Sequence, residues 1–168
     1  HYYSNIFHGS NIIYKVDIAE VVEIVKLLEL SLRVNSKLEN VLLLGFKNGW
    51  FIVLLANFCK RIYGICNNTS QKKKLELFFL KNNYSNIYLS HGENISSWNK
   101  VAPIDLIFCL NINSYSINDI VNLLTKSGIA ILPILSKSNA IEIISVDKNN
   151  FTFKQNCNFD LLNKSNLL

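Results

Sequence analysis

The chain has 168 residues, 49% of them apolar and 17% charged, with a formal charge of +5. That length suits a single domain over 1–168 with a proper core, and the composition excludes a disordered chain. No apolar run reaches the roughly 18 residues of a membrane span, no secretory leader is expected from the opening residues, and the basic residues are scattered, so neither a membrane nor a nucleic acid is expected as partner.

The chain starts at His1 and holds no Met, which reads as a trimmed or partial chain lacking some N-terminal residues. Its four cysteines, Cys59, Cys66, Cys109 and Cys157, have no C-x-x-C spacing and each lies in an apolar segment. They read as reduced, buried thiols of a cytoplasmic protein. With only three histidines besides, no metal site is expected.

Residues 1–14 show no period and read as a lead-in. Asp17 then precedes IAEVVEIVKLLEL, in which Ile18, Val21, Val22, Val25 and Leu28 share one face. Asp17 and Glu20 have capping-box spacing, so a helix is expected. Residues 31–40 are polar and read as a loop. Residues 41–44 are wholly apolar, as in a strand buried on both faces of a parallel sheet. Gly45 and Gly49 follow, and residues 50–58 are apolar with helical spacing. A glycine turn leading into a helix N-terminus offers free N–H groups to polar or anionic atoms; it is equally what any tight strand-to-helix turn contains.

A second strand is expected at 61–66, a helix at 71–82 with Leu75, Phe78 and Phe79 inward, and a third strand at 86–90. His91-Gly92-Glu93-Asn94 ends that strand, and His91 reads as a polar loop residue in preference to a general base. Residues 96–103 read as a loop and 104–110 as a fourth strand, with Asp105 satisfying nearby backbone groups. A helix is expected over 117–124, closed by Thr125-Lys126-Ser127-Gly128 with a basic last turn and a terminal glycine. A fifth strand at 129–134 and two more, at 140–146 and 151–159 around Lys148-Asn149-Asn150, complete the pattern. Strands alternating with helices, then a hairpin, give an α/β fold with a mainly parallel sheet and an antiparallel C-terminal end. Ligands of such sheets bind beyond the carboxyl ends of the strands. Gly45 to Gly49, Cys66-Asn67, Gly92-Glu93-Asn94 and Leu110-Asn111 are therefore the candidates.

In that order the motifs resemble the Rossmann-like, S-adenosylmethionine-dependent methyltransferases. Within that class the chain is most similar to the protein-L-isoaspartate O-methyltransferases, as a divergent bacterial-type member, from about Asp17 to the C-terminus. VLLLGFKNGW stands where that family has V-L-E-I-G-x-G-x-G-Y, and RIYGICNN where it has a strand ending in an acid. GENISSWNKVAPIDLIF is similar to G-D-G-x-x-G-W-x-x-x-A-P-[FY]-D-x-I, and LLTKSGIAILPI to L-K-x-G-G-R-L-V-x-P. The most specific segment is W-N-K-V-A-P-I-D, from Trp98 to Asp105.

The resemblance implies transfer of a methyl group from S-adenosylmethionine to an isoaspartyl carboxylate of a protein or peptide, a repair reaction. It implies that Gly45, Phe46, Lys47 and Gly49 form the loop facing the methionine part. Cys66 and Asn67 would lie at the ribose, Gly92, Glu93 and Asn94 at the adenine, and Asn111 beside the transferring methyl. Three positions depart from the family pattern. Leu43 replaces an acid of the first strand, Lys47 the middle glycine, and Cys66 the acid that binds the ribose hydroxyls. These departures motivate the alternative: a family member that has lost catalysis and serves as a binding or scaffolding domain.

Overall fold

The computed structural model describes residues 38–46, 49–66, 68–92, 95–109, 116–135, 141–148 and 154–155. The amphipathic segment after Asp17 lies outside the described residues. Seven strands form one sheet: β1 Leu38–Leu44, β2 Cys59–Cys66, β3 Ile87–His91, β4 Ile104–Cys109, β5 Leu124–Leu135, β6 Ile141–Asp147 and β7 Lys154–Gln155. Among the described residues the helices are α1 Gly49–Ala56, α2 Thr69–Lys81 and α3 Ile117–Asn122, with a 3-10 helix at Ile95–Lys100.

The strand order is β3-β2-β1-β4-β5-β6-β7. β1 to β5 pair in parallel, while β6 runs antiparallel to β5 and β7 antiparallel to β6. From β1 the chain builds outward one way to β2 and β3, then returns to place β4 and β5 on the other side. The crevice between the carboxyl ends of β1 and β4 is thus the topological switch point, where open α/β sheets bind their ligands.

The unbroken apolar run of β1 has a direct cause. Successive side chains of a strand point to opposite faces, and here both faces are covered. Val41 and Leu43 join the core under α1 and α2, with Phe51, Leu55, Leu75 and Phe79. Leu42 and Leu44 join the core on the other face, with Trp98, Ile107, Ile120 and Leu123. All four residues from Val41 to Leu44 are 0% exposed. Gly64 in β2 lets α1 sit close on the sheet, because a Cβ there would stand 2.6 Å from Ile52 Cδ1 and 2.9 Å from Phe46 Cε1.

Helix α2 is fixed at both ends. Asn68 caps it by accepting from Gln71 N–H at 2.8 Å, and Asn83, at φ 60°, takes the left-handed conformation that ends it.

Several boundaries differ from the sequence reading. β1 begins at Leu38, inside the expected loop, because its first residues are held from outside: Asp105 Oδ2 accepts the backbone N–H of Glu39 at 2.8 Å and of Asn40 at 3.0 Å. The expected role of Asp105 is thereby met. Residues 95–100 form a 3-10 helix within the expected loop, anchored by buried Trp98. The largest difference lies after α3. Residues 125–128 do not close a helix; they belong to β5. Ile104 pairs with Leu124 and Leu106 with Ile129, so five steps along β5 run opposite two along β4. Gly128 serves that bulge, where a Cβ would stand 2.7 Å from the Ile104 carbonyl oxygen.

Candidate functional site

Of the residues singled out from the sequence, the described ones, Gly45, Phe46, Gly49, Cys66 and Gly92, lie at or just after the carboxyl ends of β1, β2 and β3. β1 runs out into Gly45, whose φ of 76° is left-handed; an L side chain there is strained by about 1–2 kcal/mol. The chain thus turns sharply over the switch point. Phe46 does not project into that space. Its ring is 1% exposed and packs into the core beside Gly64. Its carbonyl accepts from Gln71 Nε2 at 3.4 Å, a long bond between the turn and α2. Gly49 opens α1 and answers to packing, since a Cβ there would stand 2.6 Å from Leu75 Cδ2 and 3.7 Å from Phe79 Cζ. The structure therefore gives two of the loop residues a role in helix packing. Lys47 lies outside the described residues.

β2 ends at Cys66, buried at 2% exposure. Burial pushes its thiol up to about 11, nearby Glu76 adds to the rise and Lys72 opposes it. Lys72 and Glu76 themselves pair at 3.1 Å. Near neutral pH Cys66 is an uncharged thiol, a weak donor and weak acceptor. It does not replace a carboxylate. Asn67 beside it lies outside the described residues.

β3 ends at His91, which pairs in register with Cys66. His91 Nε2 lies 2.7 Å from Thr69 Oγ1, the first residue of α2. The sequence reading gave His91 no partner, and a bond across 22 residues leaves no local signal. Gly92 follows with φ 63°, and among the described residues nothing lies within 4 Å of the place a Cβ would occupy. Glu93, Asn94 and Asn111 lie outside the described residues. β4 ends at Cys109, fully buried.

The segment that carries most of the resemblance is architectural. Trp98 is 3% exposed and meets Tyr63 edge-on at 5.8 Å between ring centroids. Asp105 works at the opposite edge of the sheet, on the backbone of β1. Among the described residues, no group of three or more His, Cys, Asp or Glu side chains can hold a metal ion, and no helix is long and apolar enough to cross a membrane.

No protein-family model and no curated protein matches the sequence. Solved structures do match. A protein-L-isoaspartate O-methyltransferase superposes with a TM-score of 0.62 at 16% identity, over 77% of this chain and 45% of its own. The N-methyltransferase NodS from Bradyrhizobium japonicum, solved with S-adenosyl-L-homocysteine, gives 0.59 at 21% identity, over 74% of this chain and 66% of its own. A precorrin-6y C5,15-methyltransferase from Geobacter metallireducens gives 0.57 at 16%, over 80% and 70%. The fold is the Rossmann-like methyltransferase fold. The chain spans less than half the length of the isoaspartate methyltransferase it matches. Since the neighbours act on substrates as different as their names, likeness at these identities establishes architecture and leaves the acceptor open.

The described side chains of this edge fit S-adenosylmethionine poorly at the end of β2. Gly45 and Gly92 take left-handed turns directly after β1 and β3, whereas Cys66 offers a ribose no carboxylate.

Proposed function

We propose that the chain is an S-adenosylmethionine-dependent methyltransferase domain whose acceptor is a carboxylate of a protein or peptide, with an isoaspartyl residue as the substrate suggested by resemblance. The observation that supports it most is the pair of left-handed glycines, Gly45 and Gly92, at the ends of β1 and β3 in a methyltransferase-type sheet. Bound there, the cofactor supplies a sulfonium methyl open to in-line attack. The chain's own part is to bind, orient and exclude water, because such a transfer asks mainly for positioning. Gly45 and Phe46 would present backbone groups to the methionine part. Gly92, with Glu93 and Asn94, would face the adenine.

The second reading, a binding domain without catalysis, is favoured by Cys66, an uncharged buried thiol where a ribose-binding acid is wanted. One experiment separates the two. Thermal unfolding is followed with S-adenosylhomocysteine, NADH and ATP in parallel, then methyl transfer to an isoaspartyl peptide is assayed. A ligand that binds only the folded state stabilises it by about 2.7 kcal/mol at a hundredfold excess over Kd. A shift with S-adenosylhomocysteine alone, followed by transfer above a no-enzyme control, supports the methyltransferase. Fixed midpoints with all three ligands and no transfer leave the binding domain.

A further inference from the structure

The end of β2 lacks a strong hydrogen-bonding group, yet the same edge of the sheet carries one that the sequence did not reveal. Thr69 opens α2 immediately after the cap Asn68, and its hydroxyl lies 2.7 Å from His91 Nε2 at the end of β3. His91 is the register partner of Cys66. Both members of the pair are exposed. They stand where β2 leads into α2 and β3 into its glycine turn.

We infer that the ribose diol of the nucleoside cofactor is recognised by the Thr69–His91 pair and not by the residue ending β2. This rests on the cofactor reading above. Each ribose hydroxyl is a donor and an acceptor, so a receptor for the diol needs both functions. The pair supplies them in either imidazole tautomer. When Nε2 accepts from the Thr69 hydroxyl, Nδ1–H remains a donor and Oγ1 remains an acceptor. When Nε2–H donates to Oγ1, the Thr69 hydroxyl hydrogen is a donor and Nδ1 an acceptor. The buried, uncharged Cys66 thiol offers only weak versions of either function. Recognition then rests on a hydroxyl–imidazole pair beside the end of β2 in place of a carboxylate.

The test compares dissociation constants for S-adenosylhomocysteine and its 2′-deoxy and 3′-deoxy counterparts, by calorimetry on the whole chain. The wild type is expected to bind at least one deoxy ligand roughly three- to tenfold more weakly than the parent. Thr69→Val, nearly isosteric, and His91→Ala are each expected to bring that ratio close to one. The double variant should do no more than either alone, because the two act as a unit. Cys66→Ala should keep the wild-type ratio. Melting temperatures identify any variant that fails to fold, and His91→Asn then stands in for His91→Ala. Binding of the parent ligand with a ratio that survives both substitutions overturns this inference and leaves the cofactor reading intact. A ratio abolished by Cys66→Ala but kept by Thr69→Val would return recognition to β2. No binding of any of the three ligands to the wild type overturns both readings together.

Discussion

Asn40 and Asp105 join β1 to β4 at the edge of the sheet opposite the candidate site. The backbone N–H of Asn40 donates to Asp105 Oδ2 at 3.0 Å, beside that of Glu39 at 2.8 Å. The Asn40 side chain extends the link, donating to the Pro103 carbonyl at 3.1 Å and accepting from Arg61 Nε at 2.9 Å. Three neighbouring strands are thereby pinned together at their start. Asp105→Ala should lower unfolding stability by about 1–2 kcal/mol, because it leaves two backbone donors without their acceptor. Asp105→Asn keeps an oxygen in place and should lose less. Urea midpoints of the two variants at one pH measure the difference, and ligand affinity at the far edge should not change.

Gly64 and Gly92 should respond to alanine for opposite reasons. At Gly64 the new methyl meets Ile52, Phe46 and Leu89 within 3.0 Å, so overpacking should lower stability by about 1–3 kcal/mol. At Gly92 the methyl meets none of the described residues, and the φ of 63° is what resists. Gly92→Ala should lose about 1 kcal/mol and Gly92→Asn less, since Asn tolerates the left-handed region. Equal losses for Gly92→Ala and Gly92→Asn would contradict a conformational cause.

Leu75 and Leu77 lie two residues apart on α2 and differ completely in burial, at 0% and 68% exposed. Leu75 fills the space left by Gly49. Leu75→Ala should lower stability by about 2–5 kcal/mol, whereas Leu77→Ala should stay within about 0.5 kcal/mol. Chemical denaturation of both variants gives the comparison directly.

Cys59 and Cys66 give stability a dependence on alkaline pH. Burial pushes Cys59 up to about 12, and burial together with Glu76 pushes Cys66 up to about 11. In the unfolded chain the thiols ionise near pH 8.5. Above that value the unfolded state has released protons that the folded state keeps, so stability falls as pH rises. The loss through Cys66 develops from about pH 8.5 to 11, and that through Cys59 continues to about 12. Below pH 8 both contributions are fully present. Urea midpoints from pH 7 to 11 should decline over the upper range, and less steeply in Cys66→Ala. The same burial should keep both thiols slow towards iodoacetamide at pH 8 in the folded protein.

The strands were legible because burial on both faces writes itself into composition. The run Val41 to Leu44 admits no polar residue, and it lies in the middle of the five parallel strands. The bulge of β5 was not legible. Thr125-Lys126-Ser127-Gly128 has the chemistry of a helix end, and only the approach of the Ile104 carbonyl explains the glycine. Gly45 could be read as a turn from its place after β1, but Gly49 could not be read as a packing residue without Leu75 opposite it. The Thr69–His91 pair was hidden for a similar reason. Its members meet only once β2 and β3 are in register.

The central place of β1 has a consequence in time. Its partner on one side, β2, follows closely in the chain, but 65 residues separate Asn40 from Asp105 on the other. On a ribosome, β1 to β3 can emerge and pair while the second edge of β1 still lacks its neighbour. An apolar strand with a bare edge is a template for the wrong partner, and long-range parallel pairing is slow to relieve it. Until β4 is translated, a strand whose Val41 to Leu44 are wholly buried in the finished protein stands with one side uncovered in the growing chain.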